Sequence, residues 1–349
     1  MKNAELTELL KGLVAIPSPS RQEKDAADYL QQRLAGFGLE PVRKGNNLWI
    51  EEEGRGDGRP VILLNAHIDT VKPSAGYSRD PFTPYDLDGK IYGLGSNDDG
   101  GSLVSLLACY RELIRKTQPF RLIFSATAEE EVSGKGGLDL ILPLLGDVAF
   151  GVIGEPTGMR MAVAERGLMV LDCCSEGVSG HAARNEGVNA IYKAMEDIEW
   201  FRTHRFERVS DYLGEVRMSV TQIEAGTQHN VVPDSCHFVV DVRPNGMYSN
   251  PELLALIKES VSCRVKERST RIGSSHIDAS HPAVVRGREL GLESFGSPTT
   301  SNQALVSFPT VKIGPGDSAR SHTADEYICM DEMVRATEIY FRLLDGLSL

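Results

Sequence analysis

Runs of apolar residues alternate with helical patterns along the first part of the chain. The runs at 61–64, 120–126 and 148–153 are largely apolar, as expected for strands that are buried on both faces. Residues 103–114 show the apolar spacing of a helix, and residues 20–23 have the sequence of a capping box that begins an earlier helix. This order predicts a mostly parallel sheet with helices on both sides.

The pattern changes after about residue 162. Residues 216–220 alternate between apolar and polar positions, which predicts a strand with one face in water, and residues 188–198 carry an amphipathic helical pattern. A buried-strand pattern returns at 311–313 and is followed by a closing helix at 333–344. We therefore predict a discontinuous α/β domain that is interrupted by an inserted α+β domain. The predicted ranges are 1–162 with 274–349, and 163–273.

Composition and charge exclude several classes of protein. The chain has 37 Lys and Arg against 49 Asp and Glu, a net charge of −12, which disfavours nucleic-acid binding. No uninterrupted apolar run reaches the ~18 residues of a membrane-spanning helix, and the first eight residues lack the apolar core of a signal peptide. The six cysteines include no CxxC pair, as is typical of a reducing compartment. We expect a cytoplasmic protein that binds neither nucleic acid nor membrane.

Side chains that can bind metals follow the predicted buried strands. His67, the run Glu129–Glu131, Glu155 and His322 each come shortly after an apolar run, and Asp98 lies in a glycine-rich segment before a helix. In open α/β sheets the ligand site lies at the carboxyl ends of the strands. We therefore expect these residues to converge although they are far apart in sequence.

The residue types narrow the chemistry of such a site. Imidazoles and carboxylates without thiolates suit Zn²⁺ or a similar transition metal, whereas Mg²⁺ prefers oxygen ligands. A carboxylate that bridges two ions gives a two-metal site, which polarises a carbonyl and lowers the pKa of water. Another carboxylate must then accept the proton of that water. Each residue taken alone is more often structural, so only the joint pattern is specific.

Seven motifs in order make the sequence similar to the M20 family of metallopeptidases and amidohydrolases. The resemblance spans essentially the whole chain. The motifs occupy residues 66–70, 93–101, 127–134, 154–157, 180–183, 230–233 and 322–326. The resemblance implies a zinc-peptidase-like catalytic domain with a mostly parallel central sheet flanked by helices. It also implies that the inserted domain is a ferredoxin-like lid and dimerisation domain.

The resemblance also implies a cofactor and its ligands. Two Zn²⁺ ions are expected, with Co²⁺ or Mn²⁺ as alternatives. His67 and Glu155 would bind the first ion, Glu131 and His322 would bind the second, and Asp98 would bridge both.

Two more residues of the catalytic domain receive roles by resemblance. Glu130 matches the family's general base, which takes the proton of the attacking water and passes it to the leaving amine. Asp69 would orient the imidazole of His67, the role expected of an outer partner of a metal-bound histidine. The family often has a cis peptide after the bridging aspartate, so the bond between Asp98 and Asp99 is a candidate.

The inserted domain would complete the site. His181 resembles a histidine that reaches the reacting carbonyl from a partner subunit and stabilises the oxyanion, which requires a homodimer formed through 163–273. Asn230 and Arg243 resemble a site for the substrate α-carboxylate, a task that suits a guanidinium fork. Gly314 would line the substrate pocket.

The implied reaction is hydrolysis of a small N-acyl amino acid. The compact length and the ending of the chain favour the branch of the family that removes an acetyl or succinyl group from ornithine in arginine biosynthesis; Arg320 near the pocket would favour succinyl. Alternatives in the family are desuccinylation of succinyl-diaminopimelate, deacetylation of N-acetyl-lysine or N-acetyl-citrulline, and dipeptide hydrolysis. A catalytically silent binding relative is a further alternative. A Ser- or Cys-nucleophile hydrolase is disfavoured because the sequence has no GxSxG elbow.

Overall fold

The computed structural model describes residues 3–184 and 186–349. The chain divides into two compact units. The first comprises Met1–Val163, His276–Phe295 and Ser301–Leu349, and the second comprises Ala164–Ser275 and Gly296–Thr300. The short segment 296–300 was not assigned to the inserted domain by the sequence pattern.

The first unit is built on a mixed sheet of nine strands. Its central strands β3, β6, β7 and β17 are parallel, and the pairs β1–β2, β2–β6 and β17–β8 are antiparallel. The order is β1-β2-β6-β3-β7-β17-β8-β15, with β16 paired to β8. The strands are β1 (Val42–Lys44), β2 (Asn47–Glu51), β3 (Val61–His67), β6 (Arg121–Thr127), β7 (Phe150–Ile153), β8 (Met161–Glu165), β15 (Ser275–His276), β16 (Ser294–Ser297) and β17 (Thr310–Lys312).

A small antiparallel sheet adjoins the glycine-rich segment and the closing helix. Its order is β18-β5-β4. The strands are β4 (Tyr85–Leu87), β5 (Lys90–Tyr92) and β18 (Tyr327–Cys329).

Helices cover both faces of the large sheet. On one face Ile62 and Leu64 pack in a cluster with Leu107 and Tyr340, which belong to two helices of this unit. On the other face Leu63 packs in a cluster with Leu138 and Ile141 of another helix. Apolar side chains therefore leave β3 on both sides, which explains its continuous apolar run. The helices of this unit are α1 (Asn3–Val14), α2 (Lys24–Gly36), α3 (Gly101–Leu113), α4 (Leu138–Leu145), α7 (Pro282–Glu289) and α8 (Met330–Leu344). The predicted α/β class with a mostly parallel central sheet is confirmed.

The second unit is an antiparallel sheet with two helices. The sheet order is β11-β13-β9-β14, and the chain order β-α-β-β-α-β is the ferredoxin-like arrangement. Its elements are β9 (Met169–Glu176), α5 (Ala190–Thr203), β11 (Arg217–Ala225), β13 (Ser235–Arg243), α6 (Asn250–Ser260) and β14 (Arg264–Glu267), with a separate pair β10 (Gly180–His181) and β12 (Val231–Val232). Alternate residues of β13, such as Phe238 and Val240, face the helices in a separate apolar core.

No helix among the described residues is both long enough and apolar enough to cross a membrane.

Candidate metal centre

The predicted ligands of the first unit meet at the carboxyl ends of its parallel strands. His67 is the last residue of β3, and Glu131 and Glu155 lie a few residues beyond the ends of β6 and β7. Potential ligand atoms of His67, Asp98 and Glu131 all lie within 4.8 Å of one another. A second group with the same spread contains His67, Glu130 and Glu155. The topology of the sheet thus gathers residues from separate motifs into one cluster.

Asp98 lies between the two imidazoles of the cluster. Its Oδ1 is 3.1 Å from Nε2 of His67, and its Oδ2 is 3.7 Å from Nε2 of His322. Nε2 of His322 is in turn 3.0 Å from Oε2 of Glu131. The peptide bond between Asp98 and Asp99 is cis, as expected. This arrangement suits Asp98 to bridge two ions, and the division of the other ligands between those ions stays a prediction.

Asp69 connects the imidazole of His67 to the segment that carries Glu130. Nδ1 of His67 lies 2.9 Å from the carbonyl oxygen of Asp69 and 3.5 Å from its carboxylate. Since both of these partners are acceptors, Nδ1 carries a proton, which leaves Nε2, facing Asp98, as the nitrogen that would bind a metal. The Asp69 carboxylate also accepts hydrogen bonds from the backbone N–H groups of Glu130 (3.0 Å) and Glu131 (3.2 Å).

The capping-box prediction for residues 20–23 is wrong. Helix α2 begins at Lys24, and its N-cap Glu23 makes no side-chain cap bond. The Ser20 hydroxyl instead donates to Asp69 (2.8 Å). Glu23 is fully buried and accepts from the Asn46 side chain (2.9 Å). The Ser20 side chain therefore supports the cluster, and neither side chain caps the helix.

Glu326 is a residue of the site to which the sequence analysis gave no role. Its Oε1 accepts hydrogen bonds from the backbone N–H groups of Asn97 (2.9 Å) and Asp98 (3.0 Å), and the residue is buried. Burial raises the pKa of Glu326 to about 8. The signal was present, because Glu326 closes the motif 322–326 on which the family resemblance rests.

The cluster holds more carboxylates than the nearby imidazoles can neutralise, so several of these carboxyl groups favour the protonated form. Burial raises the pKa of Glu130 to about 8, and the negative charges of neighbouring carboxylates act in the same direction. Burial also raises the pKa of Glu155 well above its usual range. The hydrogen bond to Glu131 raises the pKa of His322 to about 9. A buried group of this kind is stabilised by protons or by cations.

The donor set fits divalent transition metals. Two imidazoles and several carboxylates converge without a thiolate, which is the ligand chemistry of Zn²⁺, Co²⁺ or Mn²⁺. The outer hydrogen bonds of Asp69 to His67 also match those of a metal-bound histidine.

Gly314 lies against the backbone of a predicted ligand. A Cβ atom at Gly314 would stand 2.5 Å from the carbonyl oxygen of Glu155 and 2.4 Å from Oγ of Ser102. Any side chain at this position would push the Glu155 segment away. Gly314 therefore permits the close packing of two segments of the site, and its predicted contact with substrate stays a prediction.

Three predicted residues lie in the second unit. His181 is exposed in the short strand β10, opposite Val231. The backbone oxygen of Asn230 accepts from the N–H of Ala182 (3.1 Å), next to His181. Arg243 makes two bonds to the carboxylate of Asp241, at 2.7 and 3.0 Å. The substrate-binding roles of His181, Asn230 and Arg243 stay predictions.

Arg320 is paired with side chains of the first unit. Its guanidinium makes two hydrogen bonds to the Glu332 carboxylate, at 2.8 and 3.1 Å, and lies 4.5 Å from the ring centre of Tyr327. The predicted effect of Arg320 on the choice between an acetyl and a succinyl group stays a prediction.

Comparison with known proteins agrees with this chemistry. Residues 63–346 match the family model described as peptidase family M20/M25/M40. Acetylornithine deacetylase of Yersinia pestis is 27% identical over 386 aligned positions, covering 99% of this chain and 98% of that protein. Succinyl-diaminopimelate desuccinylase of Delftia acidovorans is 24% identical, with 98% and 97% coverage.

Solved structures show the same fold. Aminopeptidase PepT from Bacillus cereus superposes with a TM-score of 0.79 at 21% identity, covering 99% of this chain and 98% of that one. The YXEP protein of Bacillus subtilis, described as a dinuclear metal-binding peptidase from the M20 family, gives 0.73 at 17% identity, with 98% and 97% coverage. These similarities concern the fold of the chain.

Proposed function

Because this chain belongs to peptidase family M20/M25/M40, we propose that it is a metal-dependent hydrolase that removes an N-acyl group from an amino acid. The observation that carries the proposal is the position of Asp98 between the imidazoles of His67 and His322. Glu130 lies beside this arrangement, with its Oε2 4.0 Å from Nε2 of His67. Metal-assisted amide hydrolysis uses a carboxylate that bridges two metal ions and a second carboxyl group nearby that transfers the proton.

The proposed ligands hold the metals at the strand ends. They are His67, Asp98, Glu131, Glu155 and His322. Zn²⁺ is the proposed metal, with Co²⁺ or Mn²⁺ as alternatives. Bound divalent cations would act as Lewis acids that polarise the amide carbonyl and make water a stronger acid.

Glu130 is the proposed general base and acid. Its side chain is 11% exposed and lies beside the proposed ligands, so that it can take a proton from water and return it to the leaving amine. Asp69 holds the Glu130 backbone through its carboxylate and the His67 ring through its carbonyl oxygen. Glu130 and His67 are thus both hydrogen-bonded to Asp69, which keeps the distance between them constant.

The substrate proposal rests on the curated relatives. We propose N-acyl-L-ornithine, with acetyl as the preferred acyl group, because the relatives named acetylornithine deacetylase span 98% of their length with this chain. Succinyl-diaminopimelate is the second candidate, since a relative of similar coverage carries that name. A place in arginine biosynthesis and a cytoplasmic location follow from the first candidate.

The second unit supplies the remaining part of the proposal. We propose that His181 stabilises the oxyanion from the partner subunit of a homodimer formed through 163–273. Asn230 and Arg243 are proposed to hold the α-carboxylate of the substrate, and binding would then require Arg243 to exchange or share its present partner Asp241.

A substrate panel with defined metals tests the function. The protein is stripped with a chelator, reloaded with Zn²⁺, Co²⁺ or Mn²⁺, and assayed for amine release. The panel contains N-acetyl-L-ornithine, N-acetyl-L-lysine, N-acetyl-L-citrulline, N-succinyl-diaminopimelate and a dipeptide. We expect metal-dependent release that is fastest with N-acetyl-L-ornithine. If amine were released faster from another compound, that compound would replace N-acetyl-L-ornithine as the proposed substrate. Metal binding without any hydrolysis would favour a catalytically silent protein that only binds its ligand. Hydrolysis that resists the chelator would indicate a nucleophile enzyme.

A further inference from the structure

The side chain of Asn97 forms hydrogen bonds to the segment 317–321, which directly precedes His322. Asn97 is fully buried and immediately precedes Asp98. Its Oδ1 accepts a hydrogen bond from the backbone N–H of Asp317 (3.1 Å), and its Nδ2 donates to the carbonyl oxygen of the same residue (3.0 Å). Nδ2 also donates to Oγ of Ser321 (3.1 Å), next to His322. One amide thus binds both backbone groups of one residue and the neighbour of a predicted ligand.

The chain at Gly316 is adapted to this contact. Gly316 has φ +85°, and a Cβ atom placed there would stand 2.2 Å from Oδ1 of Asn97. Both facts require glycine, because other residues rarely adopt this backbone conformation and because the Asn97 amide occupies the space. The loop therefore passes in direct contact with the Asn97 side chain.

Other contacts also hold the loop, including a hydrogen bond from the N–H of Gly158 to the carbonyl oxygen of Gly316 (2.7 Å). Arg320 binds Glu332, and Asp325 accepts from the backbone and hydroxyl groups of Ser78 (2.8 and 3.0 Å). His322 itself is exposed, so burial does little to fix it. The Asn97 contact differs from these because Asn97 directly precedes Asp98 and bonds to Ser321, which directly precedes His322.

We propose that Asn97 is a positioning residue that holds residues 316–322 and thereby sets the distance between Asp98 and His322. Without the amide, the loop keeps its outer contacts but loses three hydrogen bonds beside the cluster. The His322 half of the metal centre then binds its ion more weakly, whereas the His67 half is unchanged. The metal part of this inference rests on the proposed function, and the loop part does not.

The substitution N97A tests the loop part in the metal-free protein. We expect hydrogen exchange of backbone amides in 316–322 to become about tenfold faster, since three buried hydrogen bonds are lost. The matched control is Q118A, because Gln118 is also a buried amide with three hydrogen bonds, to Leu113, Asp345 and Gly346. Q118A should speed exchange near those partners and leave 316–322 as in the wild type.

Zinc competition with a chromophoric chelator tests the metal part. We expect N97A to weaken one of two zinc equivalents by about 10–100-fold, the usual effect of losing an outer partner of a metal ligand, and Q118A to weaken neither. Unchanged exchange and unchanged zinc affinity in N97A would overturn the inference. Faster loop exchange in N97A together with a wild type that binds no zinc would refute the proposed function and leave the role of Asn97 in the loop intact.

The substitution N97D separates hydrogen bonding from packing. Aspartate has the shape of asparagine, and in its ionised form it accepts from the Asp317 N–H but cannot donate to the Asp317 carbonyl oxygen; exchange is therefore measured at a pH where N97D is ionised. We expect N97D also to speed exchange in 316–322 and to weaken one zinc equivalent. Wild-type values in N97D would show that Asn97 acts by filling space, which overturns the inference. The same variant decides the question if N97A does not fold.

Discussion

Nε2 of His322 lies 3.0 Å from Oε2 of Glu131, although 191 positions of sequence separate the two residues. The contact joins the segment after β17 to the segment after β6, and the same imidazole faces Asp98 at 3.7 Å. The parallel sheet makes this possible because its strands end at one edge. The effects of substitutions, pH and metal on this centre can be predicted from contacts of this kind.

Replacing Glu130 by glutamine should abolish turnover and leave metal binding intact. Glutamine keeps the size of the side chain but cannot take up a proton, and loss of a general base typically costs about 10²–10⁴-fold in kcat. Amine release and zinc content are measured on the same preparation. The control is E129Q, a change at the neighbouring glutamate that belongs to neither metal-ligand group. Turnover by E130Q near the wild-type rate would contradict the role.

The metal-free protein should lose stability as the pH rises from 5 to 9. The folded-state pKa values of Glu130 (about 8) and His322 (about 9) exceed the unfolded values of about 4.3 and about 6.5. The folded state therefore binds more protons, and its stabilisation is complete below the unfolded values and is lost as the pH rises through the folded ones. Tm measured across this range with a chelator present should fall.

Added zinc should flatten this pH dependence, because cations replace the protons that the carboxylates and imidazoles hold. E130Q removes one of the titrating groups, so its metal-free Tm should fall less steeply than that of the wild type. A metal-free wild type whose Tm rises between pH 5 and 9 would show that the cluster carries no excess of protons.

Replacing Asp69 by asparagine should weaken metal binding. The carboxylate accepts from the Glu130 and Glu131 backbones and from Ser20 with both oxygens, and an asparagine offers only one acceptor oxygen. We expect zinc affinity to fall about 10–100-fold, with a lower kcat, because Glu130 is displaced as well. S20A removes one of these bonds and should have a much smaller effect. Equal zinc affinity in D69N and the wild type would argue against this support.

Two substitutions of Glu326 should have opposite outcomes. E326Q retains an acceptor oxygen for the N–H groups of Asn97 and Asp98, both of which now bond to Oε1. Burial already favours the neutral carboxyl, so E326Q should unfold near the wild-type Tm. E326A leaves two buried N–H groups unpaired and should lower the free energy of unfolding by about 2–4 kcal/mol. Urea unfolding of both variants measures the difference, and equal losses in E326Q and E326A would refute the hydrogen-bonding role.

The residue pattern was sufficient to predict the framework of the site. Apolar runs such as 61–64 are local signals of buried strands, and chemistry-bearing residues directly after them, such as His67, belong at one edge of the sheet. The alternating pattern at 216–220 was likewise enough to predict a separate antiparallel part. These features depend on short-range periodicity, so they can be read without coordinates.

Side-chain partners were less predictable. Residues 20–23 have the local sequence of a helix cap, yet the packing of strand β3 brings Asp69 within 2.8 Å of the Ser20 hydroxyl, and a buried carboxylate is the stronger acceptor. Arg320 pairs with Glu332 of α8, a contact that the sequence pattern did not predict. The local pattern indicated neither partner, and the Ser20–Asp69 pair spans 49 positions of sequence.

The sequence by itself therefore determined the fold class, the family and the set of residues able to bind metal, since each depends on residue types and their spacing along the chain. Only the tertiary structure decided that Asp98 faces both imidazoles, that Glu326 holds the Asp98 backbone and that Asn97 fastens the loop before His322. In each of these contacts, atoms of residues that are remote in sequence lie about 3 to 4 Å apart. These contacts arise from the packing of whole strands and loops, which no local pattern encodes.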